Sequence, residues 1–361
     1  MATFPLLNLS PADSERILRS LTLGELFDLS QCSKRTFTLI KNFCSKTPDS
    51  NLVIATYAAS SCYSMQSRGS LGSAYWVFLD ERDARIMDVE NPKTYKIAGC
   101  EPMSFCISRR TPTSVDYSCV SRHSAQDILN FGEYLLTLFN GYVTTLEIKP
   151  NQINFLEDIS SIDAICKCTV LWLHNGKLSH RNLRKILESV ETDFYRISCS
   201  TRGSSSPFAQ PIKCIDFSIN NASWVDLQFL QNLDCKNGNI HDCSLGNEDL
   251  NKYLKSWLAG SNTKLEYITI AGDKHAANKI NLSLSKIVEG IPNTPGVAKR
   301  RDATTFELYQ QEIDYATGVD LRRDSDGMLA TVLIYQDTFW GATFLFVVWQ
   351  VPNPNLVVVV P

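Results

Sequence analysis

The stretch "SLGNEDLNKYLKSWLAGSNTKLEYITIAG", Ser244 to Gly272, decides the fold. Its first half, "NEDLNKYLKSWLAG", reads as a helix. Its end, "LEYITIAG", reads as a strand with Ile268 and Ile270 turned the same way. The same succession runs upstream: "AQDILNFGEYLLTLFN" precedes "VTTLEIK", "FLEDISSIDAI" precedes "TVLWLH", and "HRNLRKILESV" precedes "FYRISCS". "IKCIDFSI" follows, and "SWVDLQFLQNL" leads to a poorer strand near Gly238 to Asp242. The strands share an alternating core, with Leu146 and Ile148, Leu171 and Leu173, and Ile215 and Phe217 as inward pairs.

These strands recur at roughly 18 to 28 residues, the period range of leucine-rich repeats. One strand–helix unit cannot bury its own apolar face, so neighbours must stack. The units are irregular and lack the repeat asparagine. Two architectures therefore stand: a degenerate leucine-rich-repeat-like arc, which the spacing favours, and an ordinary α/β sheet with helical crossovers. In an arc the residues between the buried ones line the inner surface: Thr145, Glu147, Val170, Trp172, Arg196, Ser198, Cys214, Asp216, Tyr267 and Thr269. Of these, Glu147, Trp172, Arg196, Asp216 and Tyr267 are the candidates for binding a target, with Trp172 and Arg196 the best anchor types for a protein interface. If helices cover both faces of the sheet, Trp172 is core instead.

Residues 46–120 form a strand-rich connecting region. "NLVIATYAA", "AYWVFLD" and "ARIMDV" look like strands, and Arg109-Arg110-Thr111-Pro112 begins a loop. At the other end, residues 336–361 form a C-terminal strand and tail. Thr343 to Trp349 reads as a buried strand, and Gln350, Pro352 and Pro354 break the apolar run at about half of the roughly 20 residues a membrane span needs.

The N-terminal residues 1–45 read as three helices. Ser10-Pro11-Ala12-Asp13 is a helix start, and Thr22-Leu23-Gly24-Glu25 is a second, in capping-box form. Leu23, Leu26, Phe27 and Leu29 then fan across about 160°, wider than the ~100° stripe of a one-sided surface helix. A third helix carries Phe37, Ile40 and Phe43. About forty residues rarely stand alone, so this apolar surface packs on the rest of the chain or on another protein. The pattern by itself leaves both open.

Net charge is −3, from 35 basic and 38 acidic residues. Phosphate binding needs a basic face, so nucleic acid is not the expected partner. Twelve cysteines are scattered without a C-x-x-C pair, and the N-terminus lacks a secretory pattern. The expectation is an intracellular chain, cytoplasmic or nuclear, with reduced cysteines. No membrane partner is expected.

The segment "FPLLNLSPADSERILRSLTLGELFDLSQCSKRTFTLIKN" resembles an F-box. The likeness lies in the Phe4-Pro5-Leu6-Leu7 entry, the Ile17-Leu18 pair, the Glu25-Leu26 step and the Leu29-Ser30-Gln31-Cys32-Ser33-Lys34-Arg35 segment, a form common in nematode members. This chain has Leu9-Ser10 where the family has Leu-Pro, with its proline at Pro11. "SLGNEDLNKYLKSWLAGSNTKLEYITI", Ser244 to Ile270, resembles the signature of the type 2 F-box-associated domain expanded in nematodes. "GVDLRRDSDGMLATVLI", Gly318 to Ile334, followed by "FLFVVW", resembles the strands found after it, with Asp324-Ser325-Asp326-Gly327 as a hairpin turn.

The resemblance implies an α+β multidomain chain, a three-helix F-box followed by an α/β associated domain over residues 121–335. It implies docking on the adaptor subunit of a cullin-RING ubiquitin ligase, and through it on a cullin, by Phe4, Pro5, Leu6, Leu9, Pro11, Ile17, Leu18, Leu23, Leu26, Leu29, Cys32, Ser33 and Arg35. The distal domain then selects a target protein, and the chain is a substrate receptor without chemistry of its own. An adaptor-bound scaffold acting outside any ligase is the alternative.

Enzyme motifs are absent: there is no H-E-x-x-H, G-x-S-x-G or phosphate-binding loop. Cys166 and Cys168 with His174, or Cys235, His241 and Cys243, suggest zinc only loosely, since a structural site wants two ligand pairs at fixed spacing. No catalytic residue, metal or cofactor is expected.

Overall fold

The computed structural model describes residues 6–46, 50–56, 60–67, 72–79, 92–97, 100–120, 125–149, 165–202, 211–272, 281–296, 313–337 and 339–349. The fold is α+β and divides into two compact units. One comprises residues 1–176 with 185–192, the other residues 177–184 with 193–361. The expected strand "ARIMDV" and helix "FLEDISSIDAI", and the contact residues Phe4 and Pro5, lie outside the described residues, except that Ile165 of the helix stretch is described and buried.

The first unit opens with a 3-10 turn at Leu6–Asn8, then α1 (Pro11–Ser20), α2 (Leu23–Ser30) and α3 (Lys34–Cys44). The caps are those the residue types dictate. The Ser10 hydroxyl accepts the Asp13 amide at 3.2 Å, and Thr22 and Glu25 exchange hydrogen bonds at 2.9 and 3.3 Å. Six strands follow: β1 (Ser50–Thr56), β2 (Ser60–Ser67), β3 (Ser73–Leu79), β4 (Lys93–Tyr95), β5 (Met103–Arg110) and β6 (Ser114–Val120). After them come α4 (Ala125–Phe139), β7 (Tyr142–Ile148) and β8 (Lys167–Leu173). The sheet order is β8-β7-β1-β2-β3-β6-β5-β4. β1, β7 and β8 run parallel, whereas β2 pairs antiparallel with both β1 and β3.

One strand here reads differently from the sequence pattern. Arg109 and Arg110 end β5 rather than begin a loop, and the chain reverses at residues 111–113, where the Thr111 amide donates to the Ser114 carbonyl at 2.8 Å. Gly72 sits against that reversal with φ +72°, and a Cβ there would lie 2.0 Å from the Thr113 carbonyl oxygen, so only glycine fits.

α2 is built into this sheet. Phe27 is fully buried, with the rings of Trp76, Tyr95, Phe105, Tyr117, Phe131 and Tyr134 at 5.2–6.3 Å from its own. Gly24 allows the close approach, because a Cβ would lie 2.8 Å from that of Val115. Tyr117 donates to the Gly24 carbonyl at 2.9 Å, and Tyr95 donates to the Asp28 carboxylate at 2.8 Å. Leu23, Leu26 and Phe27 of the wide apolar arc of α2 are thus covered by their own chain, and Leu29 is left half-buried.

The second unit holds β9 (Lys177–Ser179), the first turn of α5 (His180–Ser189), β10 (Glu191–Ile197), β11 (Ser200–Arg202), β12 (Ile212–Lys213) and β13 (Asp216–Ile219). Then come α6 (Leu227–Gln231), β14 (Leu233–Asp234), β15 (Asn237–Cys243), α7 (Asn247–Leu258), β16 (Tyr267–Gly272) and α8 (Leu284–Ile287). It ends with β17 (Thr294–Pro295), β18 (Val319–Arg322), β19 (Leu329–Asp337) and β20 (Gly341–Trp349). Its main sheet runs β17-β18-β19-β20-β16-β15-β13-β10. β10, β13, β15 and β16 are parallel neighbours in chain order, and β20, β19 and β18 add antiparallel to them.

Helices lie on one face of this sheet: Phe229 of α6 meets Phe217 at 5.6 Å, and Trp257 of α7 meets Phe346 at 5.0 Å. The register of β13 departs from expectation. Ile215 is 39% exposed because the strand begins at Asp216, and its inward residues are Phe217 and Ile219. The β18–β19 turn falls at Asp324 to Gly327, where Gly327 has φ +73° and its amide donates to the Arg323 carbonyl at 2.8 Å. β20 is buried from Thr343 to Trp349. Among the described residues, no helix is long and apolar enough to cross a membrane.

Candidate interaction faces

The N-terminal candidates divide by burial. Leu6, Leu18, Leu23 and Leu26 are buried within this chain, the last three at 1% exposure or less. Leu9, Ile17 and Leu29 are half-buried, and Pro11, Cys32, Ser33 and Arg35 are exposed. Ser33 also caps α3, its hydroxyl accepting the Thr36 amide at 3.1 Å. The structure adds Leu7, part of the Phe4–Leu7 entry but not among the docking residues named from it, which is 45% exposed on the 3-10 turn. The surface these helices leave uncovered therefore comes from the turn, α1, the α2–α3 corner and Leu29, while Leu23, Leu26 and Phe27 of the α2 arc are buried.

In the first unit, α2 and α4 meet the β3–β6 face that carries Trp76, Phe78 and Tyr117. On β7 and β8 the inward residues are Leu146, Ile148, Leu171 and Leu173, so Glu147 and Trp172 stand on the opposite side. Trp172 is 41% exposed and is therefore not core. It stacks on His174 at 4.5 Å, and His174 bonds the Glu147 carboxylate at 3.1 Å, which fixes the indole in place.

In the second unit, Arg196, Asp216 and Tyr267 lie on the face of β10, β13 and β16 opposite the residues that meet α6 and α7. The Arg196 guanidinium donates to the Asp216 carboxylate. Further along this face the surface closes. Thr269, expected on the inner surface, is 1% exposed because its hydroxyl donates to Asn239 at 2.8 Å between paired strands. Beyond it Leu333, Leu345, Val347, Tyr315 and Trp349 form an apolar cluster with Tyr267 at its edge. Cys214 does not reach this face in register, since it precedes β13.

Residues 205–270 match the family of F-box associated sequences. The matched segment carries β12 to β15, α6, α7 and most of β16, and so includes Asp216 and Tyr267 but not Arg196. The chain is also similar to an uncharacterized protein of Caenorhabditis elegans, 24% identical over 374 residues, which cover 98% of this chain and 79% of the relative. No solved structure matches.

Burial perturbs several titratable groups. Burial pushes the thiols of Cys44, Cys119 and Cys199 up to about 12, far from a reactive thiolate. His241 is held down to about 4 by burial, against the opposing pull of Asp337, and its ring stacks on Trp340 at 4.3 Å. The turn bearing Trp340 also presents Phe339, 72% exposed, with both amides donating to the Asp337 carboxylate at 2.9 and 2.7 Å. The Asp-x-Phe-Trp-Gly run before β20 is the sequence signal for that turn, and the sequence reading passed over it. Among the described residues, no three His, Cys, Asp or Glu side chains gather as a metal site.

Proposed function

We propose that this chain is a non-catalytic substrate receptor of a cullin-RING ubiquitin ligase. Its N-terminal helices dock on the ligase adaptor through Leu7, Leu9, Pro11, Ile17, Cys32 and Arg35. The strand face opposite α6 and α7, with Arg196, Asp216 and Tyr267 in the second unit, holds a target protein. The reading rests on one observation above the rest, the match of residues 205–270 to F-box associated sequences. The exposed apolar Leu7 beside the half-buried Leu9 and Ile17 supports a docked partner. The mechanism is proximity: a target lysine is held near a charged conjugating enzyme that supplies the chemistry.

The test is co-expression with the adaptor and a cullin, followed by pull-down of wild type beside a Leu7→Asp, Arg35→Glu double variant. Both side chains are exposed, so the variant keeps the fold. The proposal expects wild type to bring down both partners and the variant neither. Wild type binding the adaptor without the cullin would favour the scaffold reading, and binding neither overturns both.

A further inference from the structure

Cys214 and Cys235 stand side by side at the end of the short parallel pair β12–β14. That ladder pairs Ile212 with Leu233 and Lys213 with Asp234, and its next step sets Cys214 beside Cys235. The Cys214 amide donates to the Asp234 carbonyl at 3.2 Å, which carries the pairing through to the cysteine. Neighbouring strands lie about 4.8 Å apart, within the roughly 4.4–6.8 Å between Cα atoms that a disulfide spans. Both cysteines are free thiols. We propose that Cys214 and Cys235 are a site of reversible oxidation, joined into a disulfide by a peroxide.

The two cysteines have unequal roles. Cys214 is half-buried and Cys235 fully buried, so a small oxidant meets Cys214 first. The hydrogen bond between the Cys235 thiol and the Cys214 side chain, followed by burial, holds the Cys235 thiol well above its usual range. In the first step the Cys214 sulfur attacks hydrogen peroxide, the O–O bond breaks, and one water leaves, giving a sulfenic acid. In the second the Cys235 sulfur attacks the Cys214 sulfur, and the sulfenic oxygen leaves as water with the Cys235 proton. Two thiols and one peroxide become one disulfide and two waters. Each sulfur is oxidised by one electron, and the peroxide oxygens take up both.

Register makes this pair selective. Cys106 and Cys119 also lie on neighbouring strands, but Cys119 pairs with Phe105 and Cys106 with Ser118, so the two sulfurs sit on opposite faces. The link would close the segment 214–235, which contains β13 and α6, and fix the approach to Asp216. This holds whatever the N-terminal helices bind.

The test exposes the full-length reduced protein to hydrogen peroxide, then unfolds it in guanidinium with N-ethylmaleimide to block every remaining thiol, and maps cysteine peptides by non-reducing mass spectrometry. A Cys214–Cys235 cross-linked pair that dithiothreitol releases is expected, with Cys106 and Cys119 unlinked. Dimedone should trap Cys214 severalfold more in Cys235→Ser than in wild type. Cys235→Ala gives the same readout if serine in that buried place disturbs the fold. The proposal is overturned if Cys214 pairs with another cysteine, if dimedone traps it equally in wild type and variant, or if both thiols stay open to N-ethylmaleimide after peroxide.

Discussion

Phe27→Ala tests whether α2 belongs to the sheet. The ring is fully buried among six aromatic neighbours, with Trp76 at 5.3 Å and Tyr95 at 5.2 Å. Truncating a buried phenylalanine to alanine costs about 3–5 kcal/mol through lost transfer energy and the cavity left behind. Edge-to-face ring pairs add roughly 0.5–1.5 kcal/mol each beyond buried area, which places this site in the upper part of that range. Against a total stability of about 5–15 kcal/mol, that is a large fraction. At roughly 2–4 °C per kcal/mol for a unit of this size, the melting temperature should fall by about 10 °C or more. Urea unfolding followed by tryptophan fluorescence reads the change, since Trp76 is in van der Waals reach of the lost ring. Leu7→Ala, at an exposed position, should stay within about 0.5 kcal/mol of wild type. A Phe27→Ala midpoint within about 1 kcal/mol of wild type, or helices that melt separately from the sheet, would refute the packing argument.

Three further outcomes follow from the same contacts. Gly24→Ala should destabilise the first unit by about 1–3 kcal/mol, because its Cβ would lie 2.8 Å from Val115; differential scanning calorimetry checks this. His241 titrates near 4 when folded and near its ordinary 6.5 when unfolded, so the folded state binds fewer protons between those values. The stability from its neutral ring is full above about pH 6.5 and is lost as pH falls toward 4, by about 2 kcal/mol between pH 7 and 5. Urea midpoints at the two pH values should show that loss, and His241→Gln should remove it. Finally, Trp172→Ala and Arg196→Ala should each cost at most about 1.5 kcal/mol, through the lost stacking on His174 and the lost pair with Asp216, while lowering capture of a bound target; a folded variant that captures normally would take that residue out of the binding face.

Local signals in this chain were legible. The caps at Ser10 and Thr22, the alternation in β7, β8 and β16, the Asp324–Gly327 turn and the buried β20 all follow from residue type and spacing within a few positions. What covers each face was less legible, because it depends on residues distant in sequence. The arc of Leu23, Leu26 and Phe27 reads identically whether a partner or Tyr95, Tyr117 and Phe131 fill it. β2 escaped notice because its run "SSCYSMQS" is rich in serine and is set by pairing with β1 and β3 rather than by its own pattern. Ile215 fits the alternation of β13, yet the strand starts one residue later and leaves it in solvent. For the candidate target-binding face, alternation was enough to name the side of the strand, and exposure then separated Trp172 from Thr269.

Amide hydrogen exchange of the chain with and without the purified adaptor tests the central claim most directly. The account predicts slowed exchange at residues 6–20 and at the α2–α3 corner, 31–35. The first turns of α2, residues 23–27, should be unchanged, because Leu23, Leu26 and Phe27 are already buried in this chain. Protection confined to the strand faces, or none at saturating adaptor, would contradict docking through these helices.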